Sequence, residues 1–197
     1  MSQVTTVPSP SPIQSRGRIV ARWMVSFIGF PLGGLVALIV TEPVNNAGNA
    51  VAGGLITGAV LGAVQAWALR FDRHQLMAWT LATAVGLAAG LALGASLVGF
   101  RTSIGDLAMQ GAVTGAFVGL AQALLLRRRT GPVAFVWPAY VAGAWAIGWV
   151  VTTAGGIAVE KQFTTFGAYG AVTVALLTSV LPLFLSIRSI RTEKSSA

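Results

Sequence analysis

The sequence predicts an all-α integral membrane protein, a bundle of six transmembrane helices built from three tandem two-helix hairpins. Three observations carry this. Hydrophobic residues make up 55% of 197 and charged residues only 9%, whereas soluble domains carry about 25% charged residues. Trp23, Trp79 and Trp137 each open a long apolar run and are each followed eleven residues later by Gly34, Gly90 or Gly148. Each returning run carries Gly-x-x-Thr, at Gly54/Thr57, Gly111/Thr114 and Gly170/Thr173. Self-similarity at a period of about 57 residues is the mark of a repeat architecture.

Residues 1–17 are rich in Ser, Thr, Pro and Gln and are expected to form a flexible cytoplasmic tail. They are not read as a cleavable signal peptide. The apolar run that follows is too long for an h-region, and no small-x-small site ends it. The helical domain is expected over 18–188, with repeats at about 19–72, 73–129 and 130–188 and a short cytoplasmic tail at 189–197. Its spans fall near Ile19–Val40, Asn49–Leu69, Gln75–Phe100, Leu107–Leu126, Val133–Val159 and Phe166–Ile187. Each is close to the ~20 residues that cross a hydrocarbon core. No Asp, Glu, Lys or Arg lies well inside any of them; Arg22, in the first turn of the first, can snorkel to the headgroups. Connections are short, so sequential helices should be antiparallel neighbours around a pseudo-threefold axis. Pro31, Pro138 and Pro182 each remove a backbone donor and are expected to kink their helices. The three leading tryptophans are expected in the interfacial aromatic belt, with Trp67, Trp145 and Trp149 open to contact with a lipid tail or pigment.

Charge assigns the orientation. Arg16, Arg18 and Arg22 precede the first span, and Arg70 and Arg73 follow the second. Arg127, Arg128 and Arg129 follow the fourth, and Arg188, Arg191 and Lys194 the sixth. The opposite side holds only Arg101 and Lys161, beside Glu42, Asp106 and Glu160. This positive-inside pattern places both termini in the cytoplasm, with Arg70, Arg73, Arg127, Arg128, Arg129 and Arg188 as topology anchors in a bacterial inner membrane. The net charge of +8 is mostly this collar. Nucleic acid is not an expected partner, because the basic residues are scattered over four short segments with no domain to carry them.

Spans two and four align without a gap: Gly54, Thr57, Gly58, Gly62, Gln65 and Arg70 match Gly111, Thr114, Gly115, Gly119, Gln122 and Arg127. In the third copy Leu181 stands for the glutamine and Ser186 for the arginine. Gly54, Gly58 and Gly62 share one helix face, as do Gly86, Gly90 and Gly94, and Gly111, Gly115 and Gly119. Small residues at this spacing let helices approach until backbones touch, a glycine zipper. Gln65 and Gln122 lie near those stripes, and two roles are open to them. They lock helices together by interhelical hydrogen bonds, or they line a polar cleft with Thr57, Thr114 and Thr173.

The chain resembles small uncharacterised multi-pass membrane proteins of bacteria such as cyanobacteria, chloroflexi and actinobacteria. The residues that carry this are Gly-Ala-Val-Leu-Gly-Ala-Val-Gln-Ala-Trp-Ala-Leu-Arg (58–70) and Gly-Ala-Phe-Val-Gly-Leu-Ala-Gln-Ala-Leu-Leu-Leu-Arg (115–127), each followed by a Trp-led span. The resemblance covers roughly residues 20–188 and implies a fold and a location without an activity. Mitochondrial carriers share the count of three two-helix repeats, but their acidic-basic motif has no counterpart here.

Chemistry is sparse. Cysteine is absent and His74 is the single histidine, which excludes a typical structural zinc site. Asp72 is positioned to pair with Arg70 or Arg73 in a solvated loop. Glu42, Asp106 and Glu160 lie on three outer loops that a threefold axis would bring together. No base accompanies an intramembrane Ser or Thr, and no ionisable relay exists. No enzyme activity and no cofactor is expected. Two functions remain: an accessory or scaffold subunit packed among lipids and other membrane proteins, or a small channel or facilitator for a neutral solute or lipid. The divergent sixth span, near Leu181–Leu185, is the expected partner face.

Overall fold

The computed structural model describes residues 12–156 and 166–195, with side chains from 16 to 156 and from 166 to 187. Among them there are helices and no strands. The elements are α1 (Pro12–Met24), a 3₁₀ stretch (Val25–Ile28), α2 (Gly29–Val40), α3 (Ala47–Ala68) and α4 (Arg73–Leu97). Then come α5 (Ile104–Thr130), a second 3₁₀ stretch (Gly131–Val136), α6 (Trp137–Ala154), α7 (Ala168–Thr178) and α8 (Val180–Ser195). Most of the 1–17 segment, together with Glu160, Lys161 and the side chains of Arg188, Arg191 and Lys194, lies outside the described residues.

Five helical runs are long and apolar enough to cross a membrane: Arg16–Val40, Ala47–Ala68, Arg73–Leu97, Ile104–Ala154 and Ala168–Ile187. The fourth is 51 residues long, which at about 1.5 Å per residue would far exceed a hydrocarbon core of about 30 Å. It folds back on itself at Gly131, whose φ of 67° a side chain would resist. α5 therefore runs to Thr130 and carries Arg127, Arg128 and Arg129 in its last turn, where cations suit the helix dipole.

Polar side chains cap the helices. Asn46 accepts the Asn49 N–H at the start of α3, and Ser103 accepts the Asp106 N–H at the start of α5. Asp72 accepts the Gln75 N–H at 2.9 Å, so it caps α4 in place of the expected pairing with Arg70 or Arg73. The prolines open helices more than they bend them. Pro31 and Pro182 are each the third residue of the element after an interruption, and Pro138 is the second residue of α6. A proline cannot donate to the turn before it, so the regular helix stops and restarts there.

From α2 to α7 each helix packs antiparallel on the next, and glycines line the seams. A Cβ added at Gly54, Gly58 or Gly62 would lie 2.6, 2.6 or 2.8 Å from the Cα of Ala88, Ala84 or Thr80. On the next seam, one at Gly86 or Gly94 would meet the carbonyl oxygen of Phe117 or Gln110 at 3.0 or 2.9 Å, and one at Gly90 the Cα of Thr114 at 2.8 Å. Between α5 and α6, Gly111 and Gly115 face the carbonyl oxygens of Trp145 and Val141, and Gly119 faces Pro138 Cα at 2.7 Å. The first seam uses Gly29 and Gly33 against Leu61 and Thr57, so Gly33 occupies the place expected of Gly34. The 3₁₀ stretch explains the shift. Relative to α-helix, its four residues gain about 80° of rotation and about 2 Å of rise, close to one residue's worth.

α7 closes on α1, and Phe166 packs on Phe30 of α2. Trp23 Nε1 donates to the Ala175 carbonyl at 3.0 Å, and the Phe30 and Phe166 rings are 5.3 Å apart. The result is a closed ring with a filled centre, in which Trp23, Phe30, Leu61, Trp79, Leu87, Leu91 and Phe166 are almost fully buried. Large apolar side chains point outward instead: Ile39 is 75% exposed, Leu81 66% and Leu176 58%. Soluble monomers rarely present such a surface. Leu181 is buried, whereas Val180, Phe184 and Ile187 of the same helix are exposed.

A Cβ at Gly58 meets backbone, whereas at Gly143 it meets nothing within 4 Å. Gly58→Ala should lower the midpoint of thermal unfolding in mild detergent, by an amount matching about 1–3 kcal/mol of overpacking. Gly143→Ala should leave it unchanged or raise it.

Candidate functional site

The bundle interior holds a hydrogen-bonded set of indoles and amides contributed by four helices. α3 supplies Gln65, α4 supplies Trp79 and Thr83, α5 supplies Gln122, and α6 supplies Trp137. Trp79 Nε1 donates to Gln65 Oε1 at 3.2 Å, and Trp137 Nε1 donates to Gln122 Oε1 at 2.8 Å. Gln122 Nε2 donates both to Gln65 Oε1 at 3.2 Å and to Thr83 Oγ1 at 3.1 Å. Gln65 and Gln122, which the sequence alignment sets in register, thus touch each other directly. Their amides, at 8% and 2% exposure, satisfy one another, which fits the locking role and leaves little to line a cleft. A buried polar group left unpaired would cost about 1–3 kcal/mol, so the arrangement also constrains helix rotation.

The third indole behaves similarly with different partners. Trp23 Nε1 donates to the Ala175 carbonyl and to Thr178 Oγ1 at 3.2 Å. Thr178 in turn donates to the Val174 carbonyl. The three leading tryptophans are therefore buried bundle residues and not belt residues: Trp23 and Trp79 are 1% exposed and Trp137 9%. An indole N–H needs an acceptor, and the preceding helix in the ring provides one each time. Trp145 and Trp149 are also buried, and their rings meet Phe166 edge-on at 5.0 and 5.3 Å. Trp67 alone among these is well exposed.

Thr57 and Thr114 are buried on the seams, and Thr114 donates to the Gln110 carbonyl. Thr173 is half-buried and donates to the Tyr169 carbonyl of its own helix. Where Gly33 and Gly90 pack on Thr57 and Thr114, Gly148 meets Val174 and Phe166. The outer acids do not form one described site. Asp106 is bound by Arg101, at 3.0 Å from its Nη2, and by the Ser103 hydroxyl. Among the described residues no three His, Cys, Asp or Glu side chains come together.

A second feature lies at the end of the bundle where the arginines gather. A cleft of about 560 Å³ is lined by Arg18, Arg22, Arg70 and Arg129 and walled by apolar residues including Leu69, Phe71 and Leu185. Arg22 does not simply reach outward: its Nε and Nη2 donate to the Trp67 carbonyl at 3.2 and 2.7 Å, and its guanidinium lies 4.3 Å from the Trp67 ring centre. The Arg129 guanidinium lies over Phe71 at 5.3 Å. Arg73, Arg127 and Arg128 are exposed at the same end, whereas the Arg188 side chain is not described. Arg70 takes φ 57°, and the Arg70 N–H bonds the Trp67 carbonyl while the Phe71 N–H bonds that of Ala66. This is a Schellman ending, in which the left-handed position ordinarily belongs to glycine. α4 ends in the same way with Gly99 there, at φ 61°.

Burial of the indoles was accessible from the sequence through one signal. Gln65 and Trp79 are 14 residues apart and Gln122 and Trp137 are 15 apart, a spacing that turns a short connection into a facing pair. The role of Phe166 and the bond from Trp23 to α7 carry no such signal, because they join opposite ends of the chain.

The architecture defines an all-helical protein with five helical runs long and apolar enough to cross a membrane. Comparison with protein-family models, curated proteins and solved structures finds no match to the chain.

Gln122→Leu should destabilise the protein by about 1–3 kcal/mol, because it orphans the Trp137 N–H. In a double-mutant cycle with Trp137→Phe, thermal unfolding should report a coupling of about 0.6–2 kcal/mol. A coupling near zero would remove the network as a stabilising element.

Proposed function

We propose that the protein is a non-enzymatic, multi-pass membrane protein of the bacterial inner membrane that serves as an accessory or scaffold subunit of a larger membrane complex. The observation that carries this reading is the closed interior. Its polar groups, Gln65, Gln122, Thr83 and the indoles of Trp79 and Trp137, bond to one another. Fully buried side chains occupy the space around them. With these groups paired to one another, the network offers little polar lining for a solute path, and the reading assigns interaction to the outer apolar face.

The same reading takes the 51-residue run as two spans, which gives six in all. Antiparallel contact of Gly111, Gly115 and Gly119 with α6 supports that count. Three tandem hairpins are supported by the three indoles, each donating to the helix before it in the ring, and by the recurring contact of Gly33 on Thr57 and Gly90 on Thr114. A cytoplasmic position for both termini is supported by Arg18, Arg22, Arg70 and Arg129 around one end of the bundle. Likeness to the small multi-pass bacterial proteins named above belongs to the same proposal.

Purification of the full chain in mild detergent should bring down membrane protein partners in fixed stoichiometry, identified by mass spectrometry. A protein that purifies alone and carries neutral solutes across liposome membranes would replace the scaffold with a channel. Because the chain contains no cysteine, single substitutions report topology without background. Glu42→Cys should react with an impermeant maleimide added outside intact cells, and His74→Cys should not. The reverse pattern would invert the orientation.

A further inference from the structure

We propose that Trp23 is the latch of a hinge between α7 and α8, with its indole and the Ser179 N–H as alternative donors to the Ala175 carbonyl. The exchange sets the direction of α8 against α7. It goes beyond the scaffold reading and does not depend on it.

The backbone at the joint carries the argument. In a regular α-helix the Ser179 N–H would donate four residues back, to Ala175. It donates instead to the Leu176 carbonyl, three residues back, at 3.2 Å. The Ala175 carbonyl accepts the Trp23 indole at 3.0 Å and the Thr178 hydroxyl at 3.4 Å. α7 ends at Thr178 and α8 starts at Val180. Pro182 has no N–H to give the Thr178 carbonyl, so a second rung of the ladder is lost beside the first. Helices kink where a proline stands or where a side chain inserts into the ladder, and this joint has both.

The other two leading indoles serve as an internal control. Trp79 and Trp137 donate to side-chain amides, those of Gln65 and Gln122. α3 runs unbroken past Gln65 to Ala68, and α5 past Gln122 to Thr130. Of the three indoles, the one that takes a backbone carbonyl is the one whose acceptor helix breaks. The donor side is irregular as well. The 3₁₀ stretch Val25–Ile28 begins just after Trp23, and a stretch of that kind inside a helix often marks a hinge.

Two donors for one acceptor make the joint bistable. With the indole docked, the Ser179 N–H stays on Leu176. With the indole withdrawn, that N–H returns to Ala175 and α8 swings about Ser179. Val172 and Leu176 of α7 and Val180, Phe184 and Ile187 of α8 are exposed along one outer stripe. The swing re-aims the half of that stripe carried by α8.

The test uses the full chain in lipid nanodiscs. The chain has no cysteine of its own, so spin labels can be placed at Met77→Cys and Ile187→Cys to read α8 against the start of α4. Labels at Leu97→Cys and Tyr169→Cys read the opposite end of the bundle, and all four positions are exposed. A change in bend of about 20° over the roughly 12 Å from Val180 to Ile187 moves the Ile187 label by about 4 Å. Pulsed dipolar spectroscopy should show a main Met77–Ile187 distance and a minor one. Trp23→Phe keeps a ring and loses the donor, and should make the minor distance the main one. Trp137→Phe should leave the wild-type distribution, and the Leu97–Tyr169 distance should hold throughout. Pro182→Ala returns an N–H to the Thr178 carbonyl with Trp23 in place. It should also raise the minor share, and it decides the matter if Trp23→Phe does not fold. An unchanged distribution in the deciding variant, an equal shift in Trp137→Phe, or a matching shift of the Leu97–Tyr169 pair would each overturn the latch. A wild-type distribution with no share at the variant's distance would make the indole a fixed brace, and the switch would fall.

Discussion

Backbone approach at the glycine seams is the constraint on which the rest of this fold depends. A Cβ at Gly54 or Gly58 would sit 2.6 Å from a neighbouring Cα, so no other residue permits these seams at their observed separation. Close approach provides van der Waals contact that lipid tails would otherwise offer to each helix equally. It also brings short side chains within hydrogen-bonding distance. Gln65 on α3 and Gln122 on α5 touch where glycines draw α4 close to both helices.

Polar satisfaction follows from that approach. An indole N–H buried away from water needs an acceptor, and the supply differs around the ring. Trp79 and Trp137 find glutamine amides. Trp23 finds a backbone carbonyl and a threonine hydroxyl. The substitute is geometrically adequate but does not extend the network: Thr178 turns its proton to its own helix at Val174. The amide pair therefore binds α3 to α6 together, while the closure of α7 on α1 relies on one indole and on aromatic packing of Phe30 with Trp145 and Phe166.

The two ends of the bundle also differ in how charge is handled. At one, Arg101 and Asp106 neutralise each other beside the Ser103 cap. At the other, Arg18, Arg22, Arg70 and Arg129 converge on a cleft, with Arg70 in a left-handed backbone conformation. The first arrangement stabilises a helix start.

Much of this was legible in one dimension. Composition and hydropathy settled the all-helical class, and four-residue spacing marked Gly54, Gly58 and Gly62 as one face, because helical periodicity depends only on local geometry. Which residues meet across the bundle was not legible. Gly34 and Gly33 are indistinguishable until the 3₁₀ stretch at Val25–Ile28 rotates one of them onto Thr57. Trp23, Trp79 and Trp137 read as interfacial because position along a span is visible in a sequence and rotation toward a neighbour is not. Asp72 read as an ion-pair partner because charge is visible and the direction of a free N–H is not. The sequence by itself determined the elements and their apolar faces. Only the tertiary structure decided the ring closure of Trp23 on Ala175, the contact of Gln65 with Gln122 and the cleft, since each joins segments whose proximity arises only once the helices have packed.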